Sequence, residues 1–302
     1  MKRFLQVMPE VQAALDAGRP VVALESTLIT HGLPRPINLE VAQRLEATVR
    51  AVGATPATIA VIGGVIRVGL DAPALTYLAE ATNVRKVSRR DLPIVVTQAG
   101  DGSTTVAATM WIAHQAGIRV FATGGIGGVH RGQPFDVSAD LPELARTPVA
   151  VVCAGAKAIL DLPLTLEWLE THGVPVIGYQ CDEFPAFYSR SSGLPVDMRA
   201  DTPEQAAAVI AAKWRMGLEG GVLITVPIPV EMELDVATSE LAIRTALQAA
   251  EFEGIRGKAL TPFLLARVSQ LTGGESQRSN IALLENNARV AAEVAKELKD
   301  AG

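Results

Sequence analysis

The run Val149-Ala150-Val151-Val152-Cys153, continued by Ala154-Gly155-Ala156-Lys157, is apolar at every position until it breaks at a glycine and ends on a lysine. A strand exposed on one face alternates polar and apolar residues, whereas a strand that is apolar throughout is covered on both faces, as in parallel sheets. Six further runs read the same way: Val21 to Leu24, Ile59 to Ile62, Ile94 to Val96, Val120 to Ala122, Val174 to Ile177 and Val222 to Val226. Segments of helical period lie between them. Asn38 is placed to cap a helix whose Val41, Leu45, Val49 and Val52 form one stripe, with Gly53 as its stop. Thr202-Pro203-Glu204-Gln205 is a capping box with proline at the first helical position, followed by Ala206, Ile210 and Trp214 on one face. A last helix is expected from Ser279 to Leu298, burying Leu284, Ala288, Ala291, Ala295 and Leu298. Strands alternating with helices predict an α/β fold, a three-layer α/β/α sandwich around a central, largely parallel (mixed) sheet. No linker, charge block or long repeat interrupts the pattern, so residues 1–302 read as one domain.

Composition narrows the function classes. Of 302 residues, 49% are apolar and 20% charged, which excludes disorder and low-complexity architecture. Lys plus Arg is 27 and Asp plus Glu is 32, a net charge of −5, so no electrostatic footprint exists for wrapping a nucleic acid or coating an anionic membrane. A small anion held by a local cluster of bases remains open. Cys153 and Cys181 lack metal or redox spacing and read as reduced core residues. The N-terminus lacks a signal-peptide pattern and no window is long enough for a membrane helix, so the expectation is a cytoplasmic protein.

In an open parallel sheet, ligands bind where strands end. The P-loop, dinucleotide and H-E-x-x-H zinc signatures are missing, which leaves clusters at strand ends. Glu25 follows Val21 to Leu24, with His31 six residues on. It is either a desolvated general acid or base, or a loop acid partnering a buried hydroxyl. Lys86, Arg89 and Arg90 are three bases within six residues that either grip a phosphate or cover a solvated turn. Thr123 opens a segment with four glycines in five residues, Gly124 to Gly128, able to aim amides at an anion, and His130 and Arg131 add donors. Asp136, Ser138 and Asp140 offer two carboxylates and a hydroxyl, enough for a hard cation that keeps most of its waters; alternatively, Ser138 or Asp140 caps a helix beginning at Leu141. Lys157 is expected in the first turn of a helix, where desolvation and the dipole favour a neutral amine able to attack a sugar carbon; the alternative is a lysine snorkelling from the layer edge. Asn280 carries both a donor and an acceptor, suited to an amide-bearing base such as a pyrimidine. At the junction Ser103-Thr104-Thr105-Val106, hydroxyls and free amides either meet a ligand or serve a plain N-cap at Ser103.

Taken in order, Val22-Ala23-Leu24-Glu25-Ser26-Thr27, Lys86-Val87-Ser88-Arg89-Arg90-Asp91-Leu92-Pro93, Phe121 to Gly132, Ser138-Ala139-Asp140-Leu141, Val151 to Lys157 and Thr261-Pro262-Phe263-Leu264-Leu265 resemble the pseudouridine-5′-phosphate glycosidase family, which includes indigoidine-biosynthesis accessory proteins. The resemblance runs from about residue 10 to the C-terminus. It implies reversible cleavage of pseudouridine 5′-phosphate to uracil and ribose 5-phosphate, with one divalent metal per subunit, usually manganese (Mn2+), in a homotrimer. By motif, Lys157 resembles the nucleophile that forms an adduct at the ribose C1′ and then a Schiff base, and Glu25 the proton donor and acceptor that helps open the ring. Lys86 and Thr123 resemble phosphate or ribose contacts, and Val106 with Thr105 a backbone contact to the substrate. Asp136 resembles the metal ligand, with Asp140 the rival for that role, and Ser138-Ala139-Asp140 a substrate-binding segment. His130 and Asn280 resemble uracil-facing groups.

The chemistry accounts for such a set. A carbon–carbon glycosidic bond has no heteroatom leaving group to protonate, so the two-carboxylate route of O-glycosidases suits it poorly, whereas an amine nucleophile divides the reaction into easier steps. Two other readings are carried alongside: a different Schiff-base enzyme acting on a sugar phosphate, such as an aldolase, and a non-catalytic phosphosugar-binding or pigment-biosynthesis accessory protein.

Overall fold

Most of the uninterrupted apolar runs become neighbouring strands of one large mixed sheet. In the computed structural model, which describes residues 4–298, the chain passes through β1 (Leu5–Val7), α1 (Pro9–Asp16), β2 (Val21–Leu24), α2 (Ile37–Val52), β3 (Thr55–Ile62), β4 (Val65–Val68), α3 (Ala72–Glu80) and β5 (Arg85–Val87). There follow α4 (Leu92–Thr97), β6 (Gly102–Thr104), α5 (Val106–Gln115), β7 (Val120–Ala122), β8 (Val129–His130), β9 (Gln133–Val137), α6 (Asp140–Arg146), β10 (Ala150–Cys153), β11 (Leu160–Asp161) and α7 (Leu162–Thr171). The last elements are β12 (Val176–Tyr179), β13 (Met198–Ala200), α8 (Pro203–Arg215), β14 (Val222–Thr225), α9 (Val236–Phe252), α10 (Leu260–Leu271) and α11 (Glu275–Glu297).

Across the sheet the order is β1-β4-β3-β2-β7-β10-β14-β12-β13. Every pair from β3 to β13 is parallel. The sheet is mixed because β3 is long. Its first half, Thr55 to Thr58, pairs with β2, and its second half runs antiparallel to β4 and to β6, which is itself parallel to β5. A separate antiparallel sheet has the order β11-β8-β9. The central strand β10 is buried at all four positions, between Val120–Ala122 on one side and Val222–Thr225 on the other. Helix α11 packs across β2, β7 and β10 and against α2 and α8, while α5 packs on β2, β3 and β7 and against α6. These are the two outer layers of the expected α/β/α sandwich.

Several local expectations change. Ile94 to Val96 is not a strand but part of the short helix α4, which buries Leu92 and Val95 and leaves Ile94 39% exposed. Leu92 and Val95 are three apart, so one side of a helical turn mimics a short apolar strand run. Asn38 lies inside α2 rather than capping it; its buried amide donates to the Ile29 and Ala79 carbonyls at 2.8 and 3.0 Å. Gly53 does stop α2, in the left-handed conformation that favours glycine. Helix α11 starts at Glu275, a turn earlier than Ser279. Both cysteines are free, Cys153 buried and Cys181 half-buried. Among the described residues, no helix is long and apolar enough to cross a membrane.

Candidate active site

Because the central strands are parallel, their carboxyl ends open on the same edge of the sheet. Glu25 follows β2, Thr123 follows β7, and the segment leading to Lys157 follows β10. A cavity of about 790 Å³ lies at that edge. Glu25, Lys86, Thr105, Val106, Thr123, His130, Asp136, Ser138, Ala139, Asp140, Lys157 and Asn280 all line it, although they come from segments spread over most of the chain.

At its floor the Glu25 carboxylate accepts a hydrogen bond from the Thr123 hydroxyl. Burial pushes the Glu25 carboxyl above its ordinary range; Lys157 and the Thr123 hydrogen bond oppose this only in part. The Lys157 amine donates to the Gly125 carbonyl. Lys86, on β5, has its ammonium held below the usual lysine range by burial, with charge on Lys157 acting in the same direction. Two bases and an acid therefore share one poorly solvated space. His31 also lines the cavity; burial and then Lys86 lower its imidazole pKa, and its Nδ1 lies 3.2 Å from the Ser103 hydroxyl.

The expected helix start at Lys157 is absent. Residues 154–157 leave β10 through a bend and run beside the glycine-rich loop: the Ile126 N–H donates to Gly155 O and the Lys157 N–H to Ile126 O, each at 3.0 Å. The next element is β11, so Lys157 does not open a helix of its own. Gly155 is held at φ +83°, where a Cβ would strike the Pro185 carbonyl, so the turn after the strand demands glycine.

The glycine-rich loop is also less open than an anion cradle. The Ile126 amide is taken by Gly155, the Gly127 amide by Asp140 Oδ2 at 2.8 Å, and the Val129 amide by the Thr165 hydroxyl at 3.0 Å. A Cβ at Gly127 would run into Ser138, so these glycines serve close packing of the loop on its neighbours. Asp140 spends its other oxygen on the Ala107 N–H at 2.9 Å. Helix α6 begins at Asp140, whose N–H donates to the Ser138 hydroxyl at 3.2 Å. Ser103 is not a cap either: it lies in β6, and Thr105 accepts from the Ala108 N–H at the start of α5.

His130 and Asp136 face each other across the β8–β9 hairpin, with His130 Nδ1 3.1 Å from the Asp136 carbonyl and 3.3 Å from its Oδ2. The Asp136 side chain is half exposed. Arg131 does not join the cavity; its guanidinium turns to the far side of the hairpin. Among the described residues, no three His, Cys, Asp or Glu side chains converge as a metal cage. Of the two candidate carboxylates, Asp140 gives both oxygens to backbone amides, which leaves Asp136 as the one with oxygens able to face a hydrated hard cation.

Some lining residues carried no sequence signal. Arg146, from the end of α6, and Phe187, from the long connection after β12, reach the cavity by tertiary packing. Phe187 has φ +66°, a left-handed conformation uncommon for an aromatic residue, and its ring lies where a Cβ on Gly125 would be. Asn287, on the face of α11 shared with Asn280 and Leu284, is fully buried and donates to the Thr123 and Gly124 carbonyls at 2.9 and 3.3 Å. A buried amide amid Leu284, Ala288 and Ala291 was a visible clue that the helical stripe passes a polar feature.

Comparison with known proteins identifies the family. Residues 10–297 match the family described as Indigoidine synthase A like protein. The pseudouridine-5′-phosphate glycosidase of Rhodospirillum centenum is 65% identical over 297 residues, 98% of this chain and 92% of that one. The chain belongs to the pseudouridine-5′-phosphate glycosidase and indigoidine synthase A-like family of enzymes. The corresponding glycosidase of Solibacter usitatus is 60% identical over 98% of this chain and 99% of its own. Among solved structures, the prealnumycin C-glycosynthase AlnA in complex with ribulose 5-phosphate has a TM-score of 0.91 at 42% identity, covering 98% of this chain and 97% of its own. The indigoidine synthase A-like protein of Thermotoga maritima has a TM-score of 0.90 at 36% identity over the same shares. Both structures thus share this fold over nearly the whole chain.

Proposed function

We propose that this protein reversibly cleaves the C-glycosidic bond of pseudouridine 5′-phosphate, giving uracil and ribose 5-phosphate through a covalent adduct on Lys157. The observation that carries the reading is the meeting of Glu25 and Lys157 from two separate strand ends in one cavity, with Lys86 beside them. The high identity to glycosidases of that name supports it.

A carboxyl whose affinity for its proton burial raises is equipped to give that proton to the ribose ring oxygen as the bond from that oxygen to C1′ breaks. The Lys157 amine forms a bond to C1′ and gives up a proton to the Glu25 carboxylate that this leaves, so its nitrogen regains a lone pair. That lone pair then makes the C=N bond of a Schiff base while the C1′–C5 bond breaks, and uracil leaves as its C5 takes the proton back from Glu25. Water adds to the Schiff base and releases ribose 5-phosphate. Lys86 supplies charge to the phosphorylated end, and Asn280 and His130 supply donor and acceptor atoms for the base. Asp136 would hold the divalent ion that the family implies; when bound, such an ion supplies positive charge for oxyanions of the substrate.

Borohydride trapping with ribose 5-phosphate tests the reading: mass spectrometry should find the reduced adduct on Lys157, and Lys157→Ala should lose both adduct and turnover. Full activity in that variant, or an adduct elsewhere, would overturn it. Release of free uracil, followed by loss of the nucleotide chromophore, separates this reaction from an aldolase.

A further inference from the structure

Arg131 follows His130 directly, yet its guanidinium points away from the active-site cavity. Its Nε donates to the Leu160 carbonyl at 3.1 Å and its Nη2 to the Ala158 carbonyl at 2.8 Å. Nη1 and Nη2 meet the two carboxylate oxygens of Glu240, on α9, at 2.9 Å each. The two carbonyls belong to residues one and three positions beyond Lys157, in a turn closed by the Leu160 N–H on Lys157 O at 3.0 Å. Ala158 and Leu160 are 6% and 2% exposed, so their carbonyls sit where a lost partner is poorly replaced by water. On its other side the Lys157 backbone is held by Ile126.

We infer that Arg131, oriented by Glu240, is a positioning residue that clamps the Lys157 segment from behind and aims its amine at the substrate carbon. The inference rests on the reading of Lys157 as the nucleophile. A planar guanidinium suits such a clamp, because one rigid fork satisfies a carboxylate and two carbonyls at once, which the single point of a lysine ammonium does not. A displacement of the nucleophile by about an ångström is worth on the order of 10²-fold in rate.

The surroundings permit a direct test. A second cavity of about 270 Å³ borders the guanidinium, lined by Arg131, Ala158, Ser189, Ser191, Ser192 and Glu240 among others. In Arg131→Ala this cavity extends into the vacated space, so added guanidinium ion has a place to bind between Glu240 and the two carbonyls. Arg131→Ala should lower kcat and the rate of borohydride trapping at Lys157 together, on the order of 10²-fold, with KM within about twofold of the wild type. Millimolar guanidinium ion should restore part of both rates and ammonium ion should not, and Arg131→Lys should stay close to the alanine variant. Where Arg131→Ala fails to fold, Glu240→Gln carries the test, with a smaller loss of the same kcat-only pattern. Trapping at the wild-type rate in either folded variant would overturn the positioning role alone. Absence of any adduct in the wild type would overturn the nucleophile, and the clamp with it.

Discussion

Glu25 and Glu143 are the two buried glutamates among the described residues, and their surroundings differ in one respect. Glu143, on α6, has no exposed surface, and its carboxylate is crowded with donors. Arg89 Nη1 reaches both oxygens at 3.0 and 3.2 Å, Arg146 donates from Nε and Nη2 at 3.2 and 2.6 Å, and the Thr147 hydroxyl donates as well. Glu25 accepts from the Thr123 hydroxyl, and the cations near it act through space. A buried acid whose two oxygens are fully partnered has a structural role, here tying together two arginines that both line the cavity. One that is short of partners has its carboxyl pushed above the ordinary range, which suits it to the proton transfer proposed for Glu25. Burial alone would not have told the two apart.

Exchanging each acid for its amide separates the roles. Glu25→Gln removes the proton donor and should reduce kcat on the order of 10²- to 10⁴-fold in a steady-state assay of uracil release. The same variant should also change the dependence of stability on pH. The folded-state pKa of Glu25 is raised, so the unfolded chain ionises first, and the wild type loses stability as pH rises from the ordinary carboxyl range through the folded pKa. Thermal unfolding over a pH series should show that decline in the wild type and a flatter curve in Glu25→Gln. A steeper curve in the variant would contradict the assignment of Glu25 as the desolvated acid.

Glu143→Gln should act the other way round. It leaves Arg89 and Arg146 short of their shared anion and should cost about 3 kcal/mol, near the lower end for breaking a buried ion pair because both arginines are partly exposed. Urea titration would register this as a lower midpoint at unchanged slope. Turnover by the folded fraction should fall far less than in Glu25→Gln. A collapse of kcat without loss of stability would mean that Glu143 belongs to the chemistry after all.

The contrast also shows what was legible before the fold was known. Glu25 and Thr123 were readable because each follows a run of residues with no polar position, and such runs end at the mouth of a parallel sheet. Lys157 lies at the expected strand end, but the reason is partly different. A helix was expected there, whereas residues 154–157 bridge to Ile126 instead, a pairing across some thirty residues that no local pattern encodes. Ile94 to Val96 failed because three apolar residues fit either period. One partner of Glu143 was out of reach for a similar reason, since Arg89 lies 54 residues away from it, whereas Arg146 and Thr147 are its neighbours three and four positions on. Strand ends are written locally, whereas Thr123 on Glu25 and Arg89 on Glu143 reach their buried acids from distant segments.

Asn280 and Asn287 extend the same contrast to the amides of α11. They are two turns apart on one face: Asn280 lines the cavity, and Asn287 sits behind the loop that supplies Thr123 to Glu25 and the Gly125 carbonyl to Lys157. Asn280→Ala should therefore raise KM and leave the melting temperature near that of the wild type. Asn287→Ala strips donors from the Thr123 and Gly124 carbonyls and should cost about 1–3 kcal/mol, with a fall in kcat because both reactive side chains lean on that loop. Asn287→Asp is the sharper probe. It has nearly the same shape, yet it turns a donor into an anion facing two carbonyl oxygens, so it should be at least as damaging as alanine. Were aspartate tolerated there, the loop would owe its position to packing by Leu283 and Leu284, whose side chains also lie against Gly124, and the amide would be a bystander.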